Sequence, residues 1–392
     1  MRLLVISSVV HFRHAGRLYA YGAYARELEI WADLFDELEI AGPCRDEVPP
    51  GDCLAFEHRN ITITPQKEAG GNTWRSKLGL LFALPALVRG LCSAMRRADA
   101  VHVRCPGNLG LLGAVLAPLF NERVTAKYAG QWVDFPGEDW SVRLQRAILR
   151  SRWWRGPVTV YGAWPDQPPH VVPFFTSMLS EDQIARAQAC VAGLERSRPE
   201  GLPLQVLYVG RLSEAKNIDV LLDAVAAVRR EGIELRAVIV GDGPERGRLE
   251  AKCAELAITG AVEFTGGVTQ ERVLDYFEQS DILSLVSESE GWPKAIAEAM
   301  AFGLVCIGSN RGLVPQMLGE GRGLVAPPRD VETLARLLVE IARRPEEYRE
   351  MRRRAAAWAQ QYSLEGLREA VRSLHSERWG VKLETATAAV TK

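Results

Sequence analysis

Short apolar runs rich in β-branched residues alternate with helix-length segments along this chain, and the alternation runs through twice. No other feature limits the fold as strongly. A β-rich run, a helix and a second β-rich run make a parallel strand pair with a crossover, and repetition builds a parallel sheet covered by helices on both faces. In the first half the pattern predicts strands over Leu3–Ser7, Leu38–Ala41, Ile61–Thr64, Val101–Arg104, Val124–Tyr128, Val158–Tyr161 and Val171–Pro173. Helices fall over Ala20–Leu34, Lys77–Arg96, Leu109–Leu119 and Val142–Arg152. The second half predicts strands over Gln205–Val209, Arg236–Val240, Val262–Phe264, Ile282–Val286, Val305–Gly308 and Gly323–Val325. Its helices cover Ile218–Arg230, Glu245–Leu256, Gln270–Ser280, Lys294–Ala301 and Val331–Arg343.

A length of 392 residues exceeds what one core ordinarily serves, so two domains are expected. The polar stretch Ser180–Pro203 is the natural boundary. The division is then an amino-terminal Rossmann-like domain over 1–180, a linker over 181–203, a carboxyl-terminal Rossmann-like domain over 204–362 ending in a helix, and a tail over 363–392. The tail is expected to fray from Lys382 onward. The fold class is α/β, two doubly wound domains facing across a cleft, with ligands at the strand carboxyl ends.

Apolar residues at 47% and charged residues at 25% are those of a soluble globular chain, and a net charge of -1 argues against a nucleic-acid binder. Seven cysteines lie scattered without metal-ligand spacing, which suits reduced thiols in a cytoplasmic protein. The opening run MRLLVISSVV is too short for a signal peptide and flows into a loop, as a first core strand would. No run reaches transmembrane length. The expected location is the cytoplasm, with peripheral contact at the inner face of a membrane as the alternative.

Chemistry concentrates in SESEGWPKAIAEAMAFG, residues 287–303. The apolar run ending at Val286 reads as a buried strand, and Gly291-Trp292-Pro293 reads as a tight loop opening a helix with Pro at its first position. Glu290 then precedes the helix and Glu298 stands in its second turn. Free amides at a helix start suit a diphosphate, and carboxylates accept hydrogen bonds from sugar hydroxyls, so the segment fits a sugar nucleotide. Glutamates near a helix start also stabilise by charge alone.

A second segment, GRLSEAKN, leaves the strand ending at Val209 and carries Gly210, Arg211 and Lys216 into the next helix. Two cations on such a loop can neutralise a leaving diphosphate without a metal; a solvated loop with a chance Arg and Lys is the alternative. No Asp-x-Asp occurs in the chain, so the usual carboxylate pair for a metal is missing. VIVGDGPERGRLE imitates a dinucleotide fingerprint, but Arg246 stands where the third glycine belongs. Gly243 is read as making a turn, with Pro244 starting the helix.

In this order GRLSEAKN, VIVGDGPERGRLE, VEFTGGV, SESEGWPKAIAEAMAFG and RGLVAPP resemble the carboxyl half of retaining GT-B glycosyltransferases of family 4, the glycosyl transferases group 1, from about Gln205 to Arg343. The resemblance implies that Arg211 and Lys216 hold a donor diphosphate, and that Glu290 faces the donor sugar. It also implies that the backbone of Gly291, Trp292, Pro293 and Lys294 approaches sugar and phosphate. Glu298 binds ribose hydroxyls, and the segment around Gly266, Gly267 and Val268 approaches the base. The activity implied is retaining, metal-independent transfer from a nucleoside-diphosphate sugar to a glycan or lipid-linked acceptor, as in surface-polysaccharide or glycoconjugate synthesis.

The amino half departs from the family. Where a glycine-rich loop often follows the first strand, HFRHAGRLYAYG offers Gly16 and Gly22 only, Gly16 being the candidate for a donor contact. Where the catalytic histidine often ends a His-x-His, the chain reads His102-Val103-Arg104. Arg104 cannot act as a base at neutral pH but can bind a phosphate or an acceptor carboxylate. His102 reads as a core histidine.

Two rival functions follow: another GT-B activity such as an epimerase or phosphorylase, and a catalytically inactive sugar-nucleotide-binding scaffold. Two basic segments with interleaved apolar residues, TWRSKLGLLFALPALVRGLCSAMRR and VRLQRAILRSRWWRG, suit an anionic membrane surface. The alternative is ordinary amphipathic helices with solvated arginines.

Overall fold

The computed structural model describes residues 1–68, 74–135, 137–177, 179–193 and 203–384. The stretch from Glu195 to Gly201 and the end of the tail lie outside the described residues. Met1–Thr176 together with Glu365–Lys392 form one compact unit, and Ser177–Leu364 form a second.

The first unit contains β1 (Arg2–Ile6), β2 (His11–His14), β3 (Arg17–Tyr21), α1 (Gly22–Ala32), β4 (Glu37–Gly42), β5 (Cys44–Arg45), β6 (Cys53–Ala55), β7 (Ile61–Pro65), α2 (Trp74–Met95), β8 (Ala100–Cys105), α3 (Asn108–Phe120), β9 (Val124–Tyr128), α4 (Trp140–Arg150), β10 (Val158–Tyr161) and β11 (Val171–Phe174). Seven strands form one sheet in the order β11-β10-β9-β8-β1-β4-β7, paired in parallel throughout. The chain winds outward from β1 to β7, then returns to β8 beside β1 and winds the other way. The carboxyl ends of β1 and β8 therefore flank a switch point, where open α/β sheets bind ligands. Strand residues alternate between faces. Leu4, Ile6, Val101, Val103, Val124, Ala126, Val158 and Val160 join one core with Leu87, Leu91, Ala114 and Leu149 from α2, α3 and α4.

One reading of this half is corrected. HFRHAGRLYAYG is not a glycine loop at a strand end but a hairpin, β2 against β3, within a small second sheet of order β5-β2-β3-β6. Its turn needs positive φ at two residues, and Ala15 (48°) and Gly16 (76°) supply them. Alternation over only four or five residues was hidden by the helical pattern that follows.

The second unit contains α5 (Glu181–Ala192), β12 (Leu204–Val209), α6 (Ile218–Arg230), β13 (Leu235–Val240), α7 (Arg246–Glu255), β14 (Val262–Gly266), α8 (Gln270–Gln279), β15 (Ile282–Leu285), α9 (Lys294–Ala301), β16 (Val305–Ser309), α10 (Val314–Leu318), β17 (Leu324–Ala326), α11 (Val331–Arg343) and α12 (Arg349–Ala359). Its six parallel strands take the order β14-β13-β12-β15-β16-β17. The switch point here lies between β12 and β15.

Part of the expected linker is helix α5, which belongs to the second unit. Ser180 and Gln183 form a reciprocal capping box at its start. Its polarity has a partner, because Arg186 contacts Asp275 at 2.8 Å and Glu278 at 2.6 Å on α8. The tail is corrected too: Leu364–Trp379 is a helix, α13, and from Glu365 onward it belongs to the first unit. There His375 is buried, its Nδ1 donating to Val371 O at 2.7 Å and its Nε2 accepting from Thr125 at 2.9 Å.

Candidate functional site

The loop leaving β12 is shaped by close backbone packing. Gly210 N donates to Val240 O at 3.0 Å, and Leu212 N donates to Asp242 O at 2.9 Å. A Cβ on Gly241 would lie 2.0 Å from Gly210 O, and one on Gly243 would lie 2.2 Å from Leu212 O. The glycines of VIVGDGPERGRLE thus let the turn after β13 brace the loop after β12. Gly243 serves this approach and also opens a turn, its O accepting from Arg246 N at 3.2 Å, while α7 begins at Arg246, two residues later than Pro244.

Beyond Arg211 the loop makes a 3-10 turn, Glu214–Lys216, and ends at Asn217 in the left-handed region (φ 49°). Asn217 Nδ2 donates to Val286 O at 2.9 Å, and Glu288 N donates to Ala215 O at 2.8 Å. These bonds tie the loops after β12 and β15 together across the switch point. Lys216 Nζ and Glu290 Oε1 meet there at 2.6 Å, although they stand 74 residues apart in the chain. The Glu290 side chain is 10% exposed and that of Lys216 26%. An ammonium has three donors, so Lys216 can hold Glu290 and a ligand oxygen together. Burial, then the Glu290 charge, push the Tyr208 phenol well above its ordinary value. Tyr208 stays neutral and donates its hydroxyl to Arg211 O at 2.9 Å. Arg211 itself is exposed, and its guanidinium meets no acidic partner among the described residues.

Pro293 is the residue before α9 rather than its first, with Lys294 opening the helix. Glu298 is 7% exposed and lies 3.5 Å from Gln270 Nε2. The Trp292 ring stacks on Trp358 at 6.1 Å and meets the edge of Tyr362 at 5.5 Å, while Arg322 lies over Trp358 at 5.2 Å. Trp292 thus anchors the 290–293 loop by packing, and what it offers a ligand is backbone together with Gly291. Exposed Gly267 and half-buried Val268 follow β14, two strands from β12 on the same carboxyl edge.

Tyr208 and Asn217, which shape this site, were not singled out from the sequence, and Gly241 was read only as part of a weak dinucleotide-like pattern. Asn217 had a signal: an asparagine before a helix is a common left-handed residue.

Two sequence-predicted site residues lie in the first unit instead. Gly16 caps the β2–β3 hairpin, with nothing within 4 Å of where a Cβ would stand. Arg104 is no free cation at a strand end, since its Nη1 lies 3.1 Å from Glu27 Oε2 and its guanidinium lies over the Tyr24 ring at 5.0 Å. His102 is a core histidine against Trp31 at 4.4 Å, and burial pushes its pKa down to about 3.

Residues 195–358 match the family model of glycosyl transferases group 1. The putative colanic acid biosynthesis glycosyltransferase WcaL of Salmonella typhimurium is 29% identical over 150 residues, which is 36% of this chain and 37% of that protein. The GDP-mannose-dependent alpha-(1-6)-phosphatidylinositol dimannoside mannosyltransferase of Mycobacterium tuberculosis is 34% identical over 158 residues, 39% of this chain and 40% of that protein. Each alignment spans well under half of the relative's own length. Sucrose-phosphate synthase from Thermosynechococcus elongatus superposes with a TM-score of 0.72 at 21% identity, over 97% of this chain and 99% of that one. The chain has the GT-B fold of two Rossmann-like domains, and its residues 195–358 are similar to the glycosyl transferases group 1 family.

Proposed function

We propose that this protein transfers a sugar, with retention and without a metal, from a nucleoside-diphosphate sugar to a glycan or lipid-linked acceptor in surface-polysaccharide or glycoconjugate synthesis. The observation that carries the reading is the meeting of Lys216 and Glu290 at 2.6 Å over the β12/β15 switch point. A cation for the diphosphate and a carboxylate for the sugar stand within one ligand's reach there. As the glycosidic bond breaks, negative charge grows on the leaving diphosphate. Arg211, Lys216 and the amides opening α9 stabilise that charge more than they stabilise the ground state, and this lowers the barrier. Glu290 orients the sugar, Glu298 takes the ribose hydroxyls, and Gly267 and Val268 border the base. The names of the relatives, glycosyltransferase and mannosyltransferase, support the same reading.

A thermal-shift panel of UDP, GDP, ADP, CDP and TDP tests it, since a bound nucleotide raises the melting temperature by mass action. One nucleotide should stabilise the wild type, and Arg211→Ala/Lys216→Ala should abolish the shift while leaving the fold intact. Labelled donor should then give glycosylated product of unchanged anomeric configuration, at a rate indifferent to EDTA. Nucleotide binding with neither transfer nor donor hydrolysis would favour the inactive scaffold.

Peripheral contact with an anionic membrane belongs to the same proposal. The α4 segment supports it through Trp140, Leu144 and Arg143, and Trp153 follows the helix; all four are exposed. Arg146 does not contribute, because it turns inward onto Glu138 and Asp134, and Arg150 lies over the Trp132 ring at 4.8 Å. The side chains of Arg75 and Lys77 are outside those described. Among the described residues no helix is long and apolar enough to cross a membrane. Flotation with anionic vesicles at low salt, lost in Trp140→Ala/Trp153→Ala, is the expected result; equal indifference to anionic and neutral vesicles rejects it.

A further inference from the structure

In the first unit, Arg104 of β8 and Lys127 of β9 are direct register partners, so both project from the same face of the sheet. Both reach one carboxylate of α1. Arg104 Nη1 lies 3.1 Å from Glu27 Oε2, and Lys127 Nζ lies 2.9 Å from Glu27 Oε1. The Glu27 side chain is 5% exposed and that of Lys127 4%. Among the described residues Glu27 is the one carboxylate in contact with either cation. His102, His375 and Tyr24, which also face the cluster, are neutral. Burial holds His102 at about 3 and His375 at about 4, and raises the Tyr24 phenol. Tyr161 packs its ring on Lys127 at 5.2 Å.

A buried carboxylate needs one cation to be compensated, and the second leaves an uncompensated positive charge in a largely dry site. The rings of Tyr24 and Tyr161 attract Arg104 and Lys127 without neutralising either, so packing alone gives no reason for the excess. Its place in the sheet does. Arg104 is the last residue but one of β8, at the β1/β8 switch point, and its side chain, unlike those of its two partners, keeps 17% exposure. Its remaining N–H donors meet no acceptor among the described residues. A planar guanidinium with spare donors matches phosphate or carboxylate two bonds at a time.

We infer that Arg104, backed by Lys127 and held by Glu27, is the seat for an oxyanion on the glycosyl acceptor, a phosphate or a uronate carboxylate. The inference names the acceptor class and so rests on the transferase reading above. Glu27 sets the orientation of the guanidinium and limits the excess to a single charge, which an arriving oxyanion neutralises.

The test uses the full chain carrying Arg211→Ala/Lys216→Ala, so that the second unit does not answer for the first. Inorganic phosphate and glucuronate are titrated separately at constant ionic strength, with chloride as control, and thermal shift is read. Adding Arg104→Gln should weaken the response to the preferred anion roughly tenfold or more, the loss expected for a charge-assisted bond. Glu27→Gln, which releases both cations, should strengthen it. A larger response to phosphate assigns a phosphorylated acceptor, and a larger response to glucuronate assigns a uronate-bearing one. If Arg104→Gln does not fold, Lys127→Met cancels the same excess and should give the same loss. Responses to both anions that are unchanged in these variants, or no greater than the chloride response, overturn the inference. Nucleoside-diphosphate binding by the wild-type chain is scored separately, so failure of the transferase reading is told apart from failure of this site.

Discussion

Glu290 and Glu298 share one loop-and-helix segment, yet their surroundings give them different work. Glu290 holds Lys216, whereas Glu298 is buried on α9 beside Gln270. Glu298→Ala should weaken nucleotide binding with and without the sugar by about 1.5–3 kcal/mol, the worth of a charged hydrogen bond. Glu290→Ala should spare or tighten the free nucleoside diphosphate, because the Lys216 ammonium is released to it, while turnover falls. Titration calorimetry with nucleotide, set beside turnover, decides; equal weakening in both variants would refute this division. Gly241 offers a test of the frame beneath them. With φ at 129° and Gly210 O only 2.0 Å from the Cβ position, Gly241→Ala must push apart the loops after β12 and β13. Urea unfolding should show a loss of about 1–3 kcal/mol. Nucleotide affinity should fall with it.

Helix α1 is fastened at its outer end by a charge cluster. His58 lies between two carboxylates, its Nδ1 against Glu29 of that helix and its Nε2 2.8 Å from Asp33 just after it, and Arg368 of α13 reaches Asp33 at 2.7 Å. Burial alone would lower the His58 pKa, but the bonds and charges of Glu29 and Asp33 outweigh it and raise the value above the ordinary 6.5. The sign of the pH dependence follows. A histidine with a raised folded pKa contributes fully below its unfolded value, and the contribution is lost as pH rises through the raised one. Stability measured by urea unfolding should therefore fall on going from about pH 6 to pH 8, with a slope that His58→Gln removes. An unaltered slope in that variant would place the titration elsewhere. Cluster and helix differ in how openly the sequence declared them. The helix announced itself by its apolar spacing, whereas Glu29, Asp33, His58 and Arg368 are ordinary polar residues until folding brings them together.

The chain passes from the first unit to the second after Thr176 and returns after Leu364. The returning helix completes the first unit: Leu367, Val371 and His375 line a small cavity with Glu27, Trp31 and Lys127, and Leu367, Val371 and His375 are buried. A chain cut after Leu364 should leave the first unit with Trp31 uncovered and its melting transition lowered. The second unit, which loses nothing, should keep its nucleotide affinity. Calorimetry on the truncated protein checks both outcomes, and an unmoved first-unit transition would mean that α13 is dispensable there.

Strand and helix spacing, the two-fold run of the α/β pattern and the motifs around Arg211, Lys216, Glu290 and Glu298 were legible because each is written over a few neighbouring residues. Side-chain period and helix-start chemistry are local properties, and a parallel sheet follows from their alternation. What the sequence left open was non-local. Lys216 meets Glu290 only because β12 and β15 are neighbours in the sheet, and Trp292 is turned to packing only because α12 lies beside it. Arg104 looked like a free cation at a strand end until α1 brought Glu27 to it, and the polar stretch Ser180–Pro203 looked like a linker until Arg186 found the acids of α8. Residues from 363 onward looked like a mere tail until His375 was buried against Thr125. Each reversal has the same cause: local pattern decides what a segment can form, whereas the environment of a charge is set by whichever distant element folding places against it.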